Sequence, residues 1–421
     1  MNVELINTGS ELMLGRVLNT HQQWLCRRLA DAGYVVSRQV AVPDTGMDIQ
    51  QAVREALTRA DLVITTGGLG PTSDDLTRDL IADFLHRPLT EDPHVLAKII
   101  QFFASRNRPM PARTRVQAMV PEGAIVLENP NGTAPGLAMH VSPNPFRPGG
   151  VKALIIMLPG PPRELHPMFT DSVLPLLRST LPAETFICRT LRSTGIGESV
   201  VEEMVAMPLS PLVNQGLEIG YCARPGQVDV RLTARGKQAA SLVSEAARLV
   251  IQALSPSCYA EDDEELEFAI VRLLMSHGRT LAIAESCTGG LVAHKITNVP
   301  GASTVLKAGV VAYSNEAKTL FLGVPQETLA ANGAVSEVVA GLMAEGVRTR
   351  TDSHYGLGIT GIAGPSGGTS EKPVGTVFIG LATRSRTLVK KHLNPLDRES
   401  FKQLTSQQAL EMLRQEILNP S

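Results

Sequence analysis

The feature that most constrains this chain is a repeated handover from a short aliphatic run, through a turn rich in glycine or proline, to a stretch with helical spacing of apolar residues. Val3 to Ile6 leads into Thr8-Gly9-Ser10-Glu11, Asp61 to Thr66 into Gly67-Gly68-Leu69-Gly70, and Ala153 to Leu158 into Pro159-Gly160-Pro161-Pro162. Further on, Thr280 to Ala284 leads into Glu285-Ser286-Cys287-Thr288-Gly289-Gly290, while Tyr355 to Thr360 ends in a glycine-dense loop from Gly361 to Gly368 that leads on to another strand. Uninterrupted aliphatic runs of this kind are strands buried on both faces. Strands that alternate with helices pair mostly in parallel, through crossover connections. The pattern therefore predicts an α/β protein.

At 421 residues the chain exceeds what one hydrophobic core usually supports. The first segment adds a helical pattern from Ser10 through about Ala32, a strand Val35 to Val42 and a helix Asp48 to Thr58. From Phe186 to Tyr259 the pattern changes. There Ile219 to Ala223 and Val228 to Thr233 flank Arg224-Pro225-Gly226-Gln227 as a hairpin, and Ala239 to Leu254 reads as an amphipathic helix. The acidic run Glu261-Asp262-Asp263-Glu264-Glu265 is expected to open the next helix, Glu264 to His277, where carboxylates complement the dipole. Strands Gly309 to Tyr313 and Gly375 to Ala382 complete the last segment. The expected architecture is two α/β domains with mostly parallel sheets, 1–180 and 261–421, joined by a small α+β module, 181–260.

Charge and cysteine usage narrow the partners. Lys plus Arg number 39 against 41 Asp plus Glu, a formal charge of -2, so no basic field favours nucleic acid. Cys26, Cys188, Cys222, Cys258 and Cys287 show no C-x-x-C spacing, which argues against a disulfide framework or zinc site and for a reducing compartment. With no visible secretory leader and no apolar run near the roughly 20 residues of a membrane helix, a soluble cytoplasmic protein is expected.

In the last segment, Ser286, Cys287 and Thr288 fall where a strand passes into a helix. The amides of Gly289 and Gly290 would there face a phosphate or a developing oxyanion. Helix capping is the plainer reading of Ser and Thr at such a place. Tyr313-Ser314-Asn315-Glu316-Ala317-Lys318 follows another strand end, where open α/β sheets carry functional side chains. In the first segment, Gly67, Gly68 and Gly70 allow a backbone to approach a phosphate, with Thr72-Ser73-Asp74-Asp75 just beyond. Val42-Pro43-Asp44 brings another carboxylate from a second strand end, and two carboxylates from different strand ends are what a magnesium site usually needs.

Together these motifs carry a family resemblance. Residues from about Glu264 to Leu413 resemble the CinA C-terminal domain, the nicotinamide-mononucleotide deamidases. The resemblance rests on Ala284 to Gly290, Tyr313 to Lys318, Gly333-Ala334-Val335-Ser336 and Gly361 to Gly368. It implies Ser286 as nucleophile and Lys318 as its base, with Ser303, Tyr313, Thr360 and Arg398 in activation or substrate binding. No cofactor is implied there. Cys287 stands as the rival nucleophile. Thr288, Gly289 and Gly290, from the turn itself, join the substrate-binding candidates.

The segment to about Thr180 resembles the molybdopterin-binding, MoaB/MogA-like domain as it occurs at the CinA N-terminus. Thr8 to Leu12, Gly67 to Asp75, Asn131 to Gly136 and Leu158 to Glu164 carry the match. It implies an ADP-ribose pyrophosphatase that uses a divalent metal (magnesium, cobalt or manganese), with Asp44 and Asp75 as ligands and Gly67, Gly68, Gly70 and Thr72 at the substrate. The loop reads Gly-Leu-Gly-Pro-Thr where molybdopterin proteins typically have Gly-Thr-Gly, against pterin binding. The middle segment resembles the KH-like module of CinA, but Gly195-Ile196-Gly197-Glu198 lacks the G-x-x-G that clamps nucleic acid. A spacer or dimerisation role follows, and the resemblance implies a homodimer. The expected function is bifunctional hydrolysis of nicotinamide mononucleotide and ADP-ribose. The alternatives are a non-catalytic partner in competence or recombination, and a molybdopterin-handling enzyme.

Overall fold

The computed structural model of the protein describes residues 1–262 and 264–419; Asp263 of the acidic run and the last two residues of the 261–421 segment lie outside it. The chain forms two compact units, residues 1–187 with 235–237, and residues 188–234 with 238–421. No helix among the described residues is long and apolar enough to cross a membrane.

The first unit is built on strands β1 (Val3–Thr8), β2 (Val36–Val42), β3 (Leu62–Thr66), β4 (Ile125–Leu127), β5 (Gly136–Val141) and β6 (Ala153–Leu158), in the order β2-β1-β3-β6-β5-β4. Every residue of β1, β3 and β6 is buried, as their unbroken aliphatic runs require. Alternate side chains feed two cores: Val63 and Ile155 pack on one face, Ile64 and Ile156 on the other. Helix α1 (Thr20–Asp31) buries Leu25 and Leu29 in the second core, and α2 (Gly46–Leu57) buries Ile49, Val53 and Leu57 in the first. Helix α3 (Thr77–Phe84) follows the glycine loop, and α4 (Pro93–Ala104) packs Val95 and Ile99 into the first core.

One expectation needs correction here. The helical pattern from Ser10 to Ala32 is broken: a short helix ends at Met13, Gly15 takes φ 65°, and Asn19 caps the new helix by accepting from the Gln22 amide. The sheet is mostly parallel, as expected. β5 adds antiparallel to β6 and β4 antiparallel to β5, beside three parallel pairings.

The second unit opens with a four-stranded sheet of β7 (Phe186–Thr194), β8 (Glu218–Arg224), β9 (Gln227–Arg235) and β10 (Cys258–Glu261), ordered β8-β9-β7-β10. The expected hairpin turns at Pro225-Gly226, with Arg224 opposite Gln227. Helices α5 (Glu198–Val213) and α6 (Ala239–Leu254) complete the module. The acidic run does not open the next helix. Glu261 ends β10, Asp262 turns at φ 54°, and Glu265 precedes α7 (Leu266–Ser276) while pairing with Arg192 and Arg224.

Beyond it lies a five-stranded sheet of β11 (Leu281–Glu285), β12 (Leu306–Val311), β13 (Tyr355–Gly361), β14 (Thr376–Ala382) and β15 (Thr387–Leu393), ordered β12-β11-β13-β14-β15. β11 pairs in parallel with both neighbours, whereas β14 and β15 are antiparallel additions. Helices α8 (Leu291–Thr297), α9 (Asn315–Leu322), α10 (Glu337–Thr351) and α11 (Arg398–Leu418) flank it. α10 lies directly on the sheet: a Cβ at Gly358 would stand 2.4 Å from the Ala340 oxygen, and one at Gly380 2.5 Å from it. The α/β architecture with a small α+β module is thus as expected.

Candidate active sites

In the C-terminal sheet the chain leaves β11 with β12 on one side and β13 on the other, the position where open α/β sheets form a crevice. Ser286 is the first residue beyond β11. Its amide donates to the Ile359 oxygen at 2.9 Å, and the preceding Glu285 oxygen accepts from the Ala312 amide at 2.8 Å. The nucleophile candidate is therefore fixed between two neighbouring strand ends.

Lys318 reaches it from α9, whose start is fixed by Ser314 accepting from the Ala317 amide. The Lys318 side chain is 1% exposed. Its Nζ lies 3.1 Å from Ser286 Oγ, 2.9 Å from the Ala312 oxygen and 3.2 Å from the Tyr313 oxygen. Burial lowers its pKa, since the ammonium loses hydration. A neutral amine has two N–H groups and one lone pair. The two carbonyls take the N–H groups, which leaves the lone pair for the Ser286 hydroxyl proton. Cys287 is a different case: burial pushes its thiol up to about 12, so the nucleophilic thiolate is scarce at neutral pH.

Arg398, at the start of α11, donates from Nη1 to the Gly364 oxygen at 2.8 Å and from Nη2 to the Tyr313 hydroxyl at 2.9 Å. It thereby links the loops that follow β12 and β13. Thr360 adjoins Ile359 on β13 and donates to the Ala334 oxygen at 2.8 Å.

The N-terminal unit repeats the logic. β1 has β2 on one side and β3 on the other, and a cavity of about 410 Å³ opens beyond their carboxyl ends. Thr8, Gly67, Gly68, Gly70, Asp44 and Asp75 all line it. A Cβ at Gly68, which takes φ 67°, would fall 2.0 Å from Thr77 Oγ1, so only glycine fits there, and one at Gly70 would stand 2.3 Å from Asp75 Oδ2. Asp44 Oδ2 accepts from the Ser10 amide at 2.8 Å. Asp75 Oδ2 accepts from the Thr72 amide at 2.9 Å and from the Thr72 hydroxyl.

Three family models match: the CinA C-terminal domain over residues 263–417, a probable molybdopterin binding domain over 4–179, and the damage-inducible protein CinA KH domain over 188–260. A CinA-like protein from Akkermansia muciniphila is 47% identical, covering 97% of this chain and 96% of its own. The chain belongs to the CinA family. A putative competence-damage inducible protein from Moorella thermoacetica is 44% identical over 98% of each chain. The solved structure of competence/damage inducible protein CihA from Agrobacterium tumefaciens is 37% identical, covering 36% of this chain and 96% of its own, with a TM-score of 0.35.

Within this CinA chain, not every residue singled out from sequence reaches the crevice. Ser303 sits in the turn Ala302–Thr304 that precedes β12, where the Val305 oxygen accepts from the Leu281 amide. It lies at the far end of the sheet from Ser286, because parallel strands put their starts together. The amides of Gly289 and Gly290 do not face a ligand either. Gly289 donates to the Ser286 oxygen at 3.1 Å and Gly290 to Glu285 Oε2 at 3.0 Å. Both glycines serve the turn, at φ 64° and 94°. Thr288 is fully buried, and its hydroxyl makes no hydrogen bond among the described residues.

Two residues were missed. Glu285 turns beneath the loop and accepts from the amides of Gly290, Val292 and Ala293, at 3.0, 3.2 and 2.8 Å. The protein's own carboxylate thus occupies the anion position at the start of α8. An acid immediately before the Ser-Cys-Thr-Gly-Gly turn was the available signal. Lys402 is the other: its Nζ stands 3.6 Å from where a Gly289 Cβ would be, and it makes no ion pair among the described residues. Its place four residues after Arg398 puts both cations on one helix face.

The N-terminal cleft suits a divalent cation that is shared with a ligand. Among the described residues no three His, Cys, Asp or Glu side chains group into a closed metal cage. Magnesium, however, is usually held by one or two carboxylates plus substrate phosphates and water. Asp44 and Asp75 are the candidates for that role, since both line the cleft and each bonds the protein through Oδ2 and leaves Oδ1 without a hydrogen bond among the described residues.

Proposed function

We propose that the C-terminal domain deamidates nicotinamide mononucleotide to nicotinate mononucleotide and ammonia. The observation that carries this reading is the buried Lys318 nitrogen, 3.1 Å from the Ser286 hydroxyl. Ser286 Oγ attacks the carboxamide carbon while Lys318 takes its proton. As the tetrahedral intermediate collapses, the C–N bond breaks and Lys318 returns that proton to the leaving nitrogen, which departs as ammonia. Water then adds to the acyl-Ser286 ester and gives a proton to Lys318. Ester cleavage releases the acid and restores the serine hydroxyl. Arg398 and Lys402 are the cations available to the 5′-phosphate.

The N-terminal domain, on this proposal, hydrolyses ADP-ribose to AMP and ribose 5-phosphate. The specific support is the convergence of Asp44 and Asp75 on one switch-point cleft. A bound magnesium, cobalt or manganese ion would neutralise the diphosphate and activate water. Asp44 and Asp75 would hold that ion, and the loop from Gly67 to Thr72 would cradle the phosphates. We assign these activities to residues 1–180 and 261–421, with 181–260 as a spacer or dimerisation module in a cytoplasmic homodimer. The test is incubation of the protein with each nucleotide, with and without chelator, following products by chromatography. Ammonia release that persists in chelator and ADP-ribose cleavage that stops in it are the expected pair. Absence of either product overturns the corresponding half.

A further inference from the structure

The second unit holds a cavity of about 620 Å³ where the middle module meets the C-terminal domain. The module contributes the loop 194–198 and the hairpin turn at Gly226. The C-terminal domain contributes β15 and one face of α11, along which Leu404, Gln408, Glu411 and Gln415 recur at helical spacing. These walls are held in place. A Cβ at Gly226 would stand 3.0 Å from Leu404 Cδ1, so the hairpin turn packs directly on α11. Arg414, 3% exposed, donates to the Pro256 oxygen at 2.6 Å and to Glu411 at 2.7 Å. Domain junctions with hollows of this size are frequent small-molecule sites.

The polar side chains around it fall into two sets. Arg224 is engaged with Glu265 and Asp229, Glu411 with Arg414, and Gln408 with Asn394. Lys390, His392, Glu198 and Ser257 are not engaged: none of these side chains makes a hydrogen bond or ion pair among the described residues. Lys390 and His392 are two apart on β15 and so stand on the same face of the sheet. Burial, and then Lys390, lowers the His392 pKa, which leaves Lys390 as the standing positive charge beside a neutral imidazole. On the module side Glu198 offers a carboxylate and Ser257 a hydroxyl.

We infer that this cavity binds a sugar phosphate, either free or as the ribose phosphate of a nucleotide. Lys390 and His392 meet the phosphate, one as an ammonium and the other as an N–H donor. Glu198 accepts from sugar hydroxyls, as carboxylates do when they hold a ribose, and Ser257 can donate or accept. The opposed charges decide the class: a bare phosphate would leave Glu198 unmatched, and a neutral sugar would leave Lys390 so. The cavity shares no lining residue with the N-terminal cleft and includes neither Ser286 nor Lys318, so the inference depends on neither proposed activity. It gives the middle module a share in ligand binding, against the same helix that carries Arg398 and Lys402 in its first turns.

The test is hydrogen–deuterium exchange on the full-length protein with ribose 5-phosphate, AMP and ribose as probes, because exchange reports where a ligand sits. Ribose 5-phosphate should slow exchange at 194–201 and 404–415; if AMP alone does so, the site stands and its ligand is the nucleotide. Lys390→Gln, on an exposed edge strand, should raise the concentration for half-protection about tenfold and leave thermal unfolding unchanged. Should that variant unfold, Glu198→Gln gives the reading through the same segments. Three results overturn the site: ribose protecting as well as ribose 5-phosphate, a folded variant protected at wild-type concentrations, or no probe protecting these segments.

Discussion

The Lys318 nitrogen stands 3.1 Å from the Ser286 hydroxyl while the carbonyl oxygens of Ala312 and Tyr313 hold it at 2.9 and 3.2 Å. Three oxygen neighbours and burial set the proton inventory of the site. A charged amine would donate to all three, and a neutral one has just enough hydrogens for the carbonyls. The same contacts that aim Lys318 also free its lone pair for Ser286 once it loses a proton.

Removing either member should therefore stop the proposed deamidation. Ser286→Ala should lower ammonia release by on the order of a thousandfold or more, and Lys318→Met by about 10²–10⁴-fold. Cys287→Ala should keep most of the rate, because its buried thiol is pushed up to about 12 and is not the nucleophile. Steady-state ammonia release beside thermal unfolding of each variant checks this. A Cys287→Ala variant that is folded but inactive would transfer the role to the thiol.

Acid should switch the reaction off. Only neutral Lys318 can accept the Ser286 proton, so kcat/KM should rise with pH through an apparent pKa below the roughly 10.4 of a free lysine. Stability follows the same sign. Between the lowered folded pKa and the unfolded one, the unfolded chain binds more protons, so raising pH through that window stabilises the fold. The Lys318→Met variant lacks this slope, and subtracting its denaturant midpoints from wild type across pH isolates it. A flat difference would mean that burial does not perturb Lys318.

The strands that carry the chemistry were legible because burial on both faces leaves a plain aliphatic record: Ala153–Leu158 and Tyr355–Gly361 fall where their runs predict. β12 was less so. Its alternating exposure at the sheet edge weakens the apolar run, and it begins at Leu306 rather than Gly309. The antiparallel strands β4 and β15 were unread for the same reason: one is three residues long and the other mostly exposed. In the site, residue identity marked Ser286 and Lys318, but not the internal use of the Gly290 amide. That depends on where the Glu285 side chain turns, which no spacing rule reports. Ser303 shows the converse, a resemblance that names a residue without saying at which end of the sheet it stands.

Glu285 should behave as a positioning residue. Its carboxylate accepts three amide hydrogens beneath the Ser286 loop. Glu285→Gln keeps the shape but turns one acceptor into a donor that faces an amide. A loss of about 1–3 kcal/mol in denaturant stability is expected, together with a fall in kcat larger than any change in KM. Unchanged stability would show that the carboxylate is not what holds the turn.

Lys402 should act on the phosphate alone. It lies above Gly289, on the same helix face as Arg398, and makes no ion pair among the described residues. Lys402→Ala should raise KM for nicotinamide mononucleotide about tenfold while leaving turnover of the unphosphorylated riboside unchanged. Comparing the two substrates on one preparation separates phosphate binding from loop damage. Equal losses on both would reassign Lys402 to the structure of the turn.

Finally, Gly68→Ala should silence the N-terminal chemistry selectively. Gly68 takes φ 67°, and a Cβ there would stand 2.0 Å from Thr77 Oγ1 and 2.8 Å from its Cβ. Thr77 cannot simply swing aside, because it is fully buried and its amide donates to the Gly68 oxygen at 3.1 Å. The loop backbone must move instead, and Gly70, which approaches the Asp75 carboxylate just beyond, moves with it. A displacement of about 1 Å between reacting groups can cost on the order of a hundredfold in rate, so ADP-ribose cleavage should fall by that much. The proposed ammonia release is assigned to Ser286 and Lys318 in the other compact unit and should stay at its wild-type rate. Assaying both products from the same purified variant decides the point, since a parallel loss of the two would mean that the substitution unfolds the chain or that the two sites are coupled.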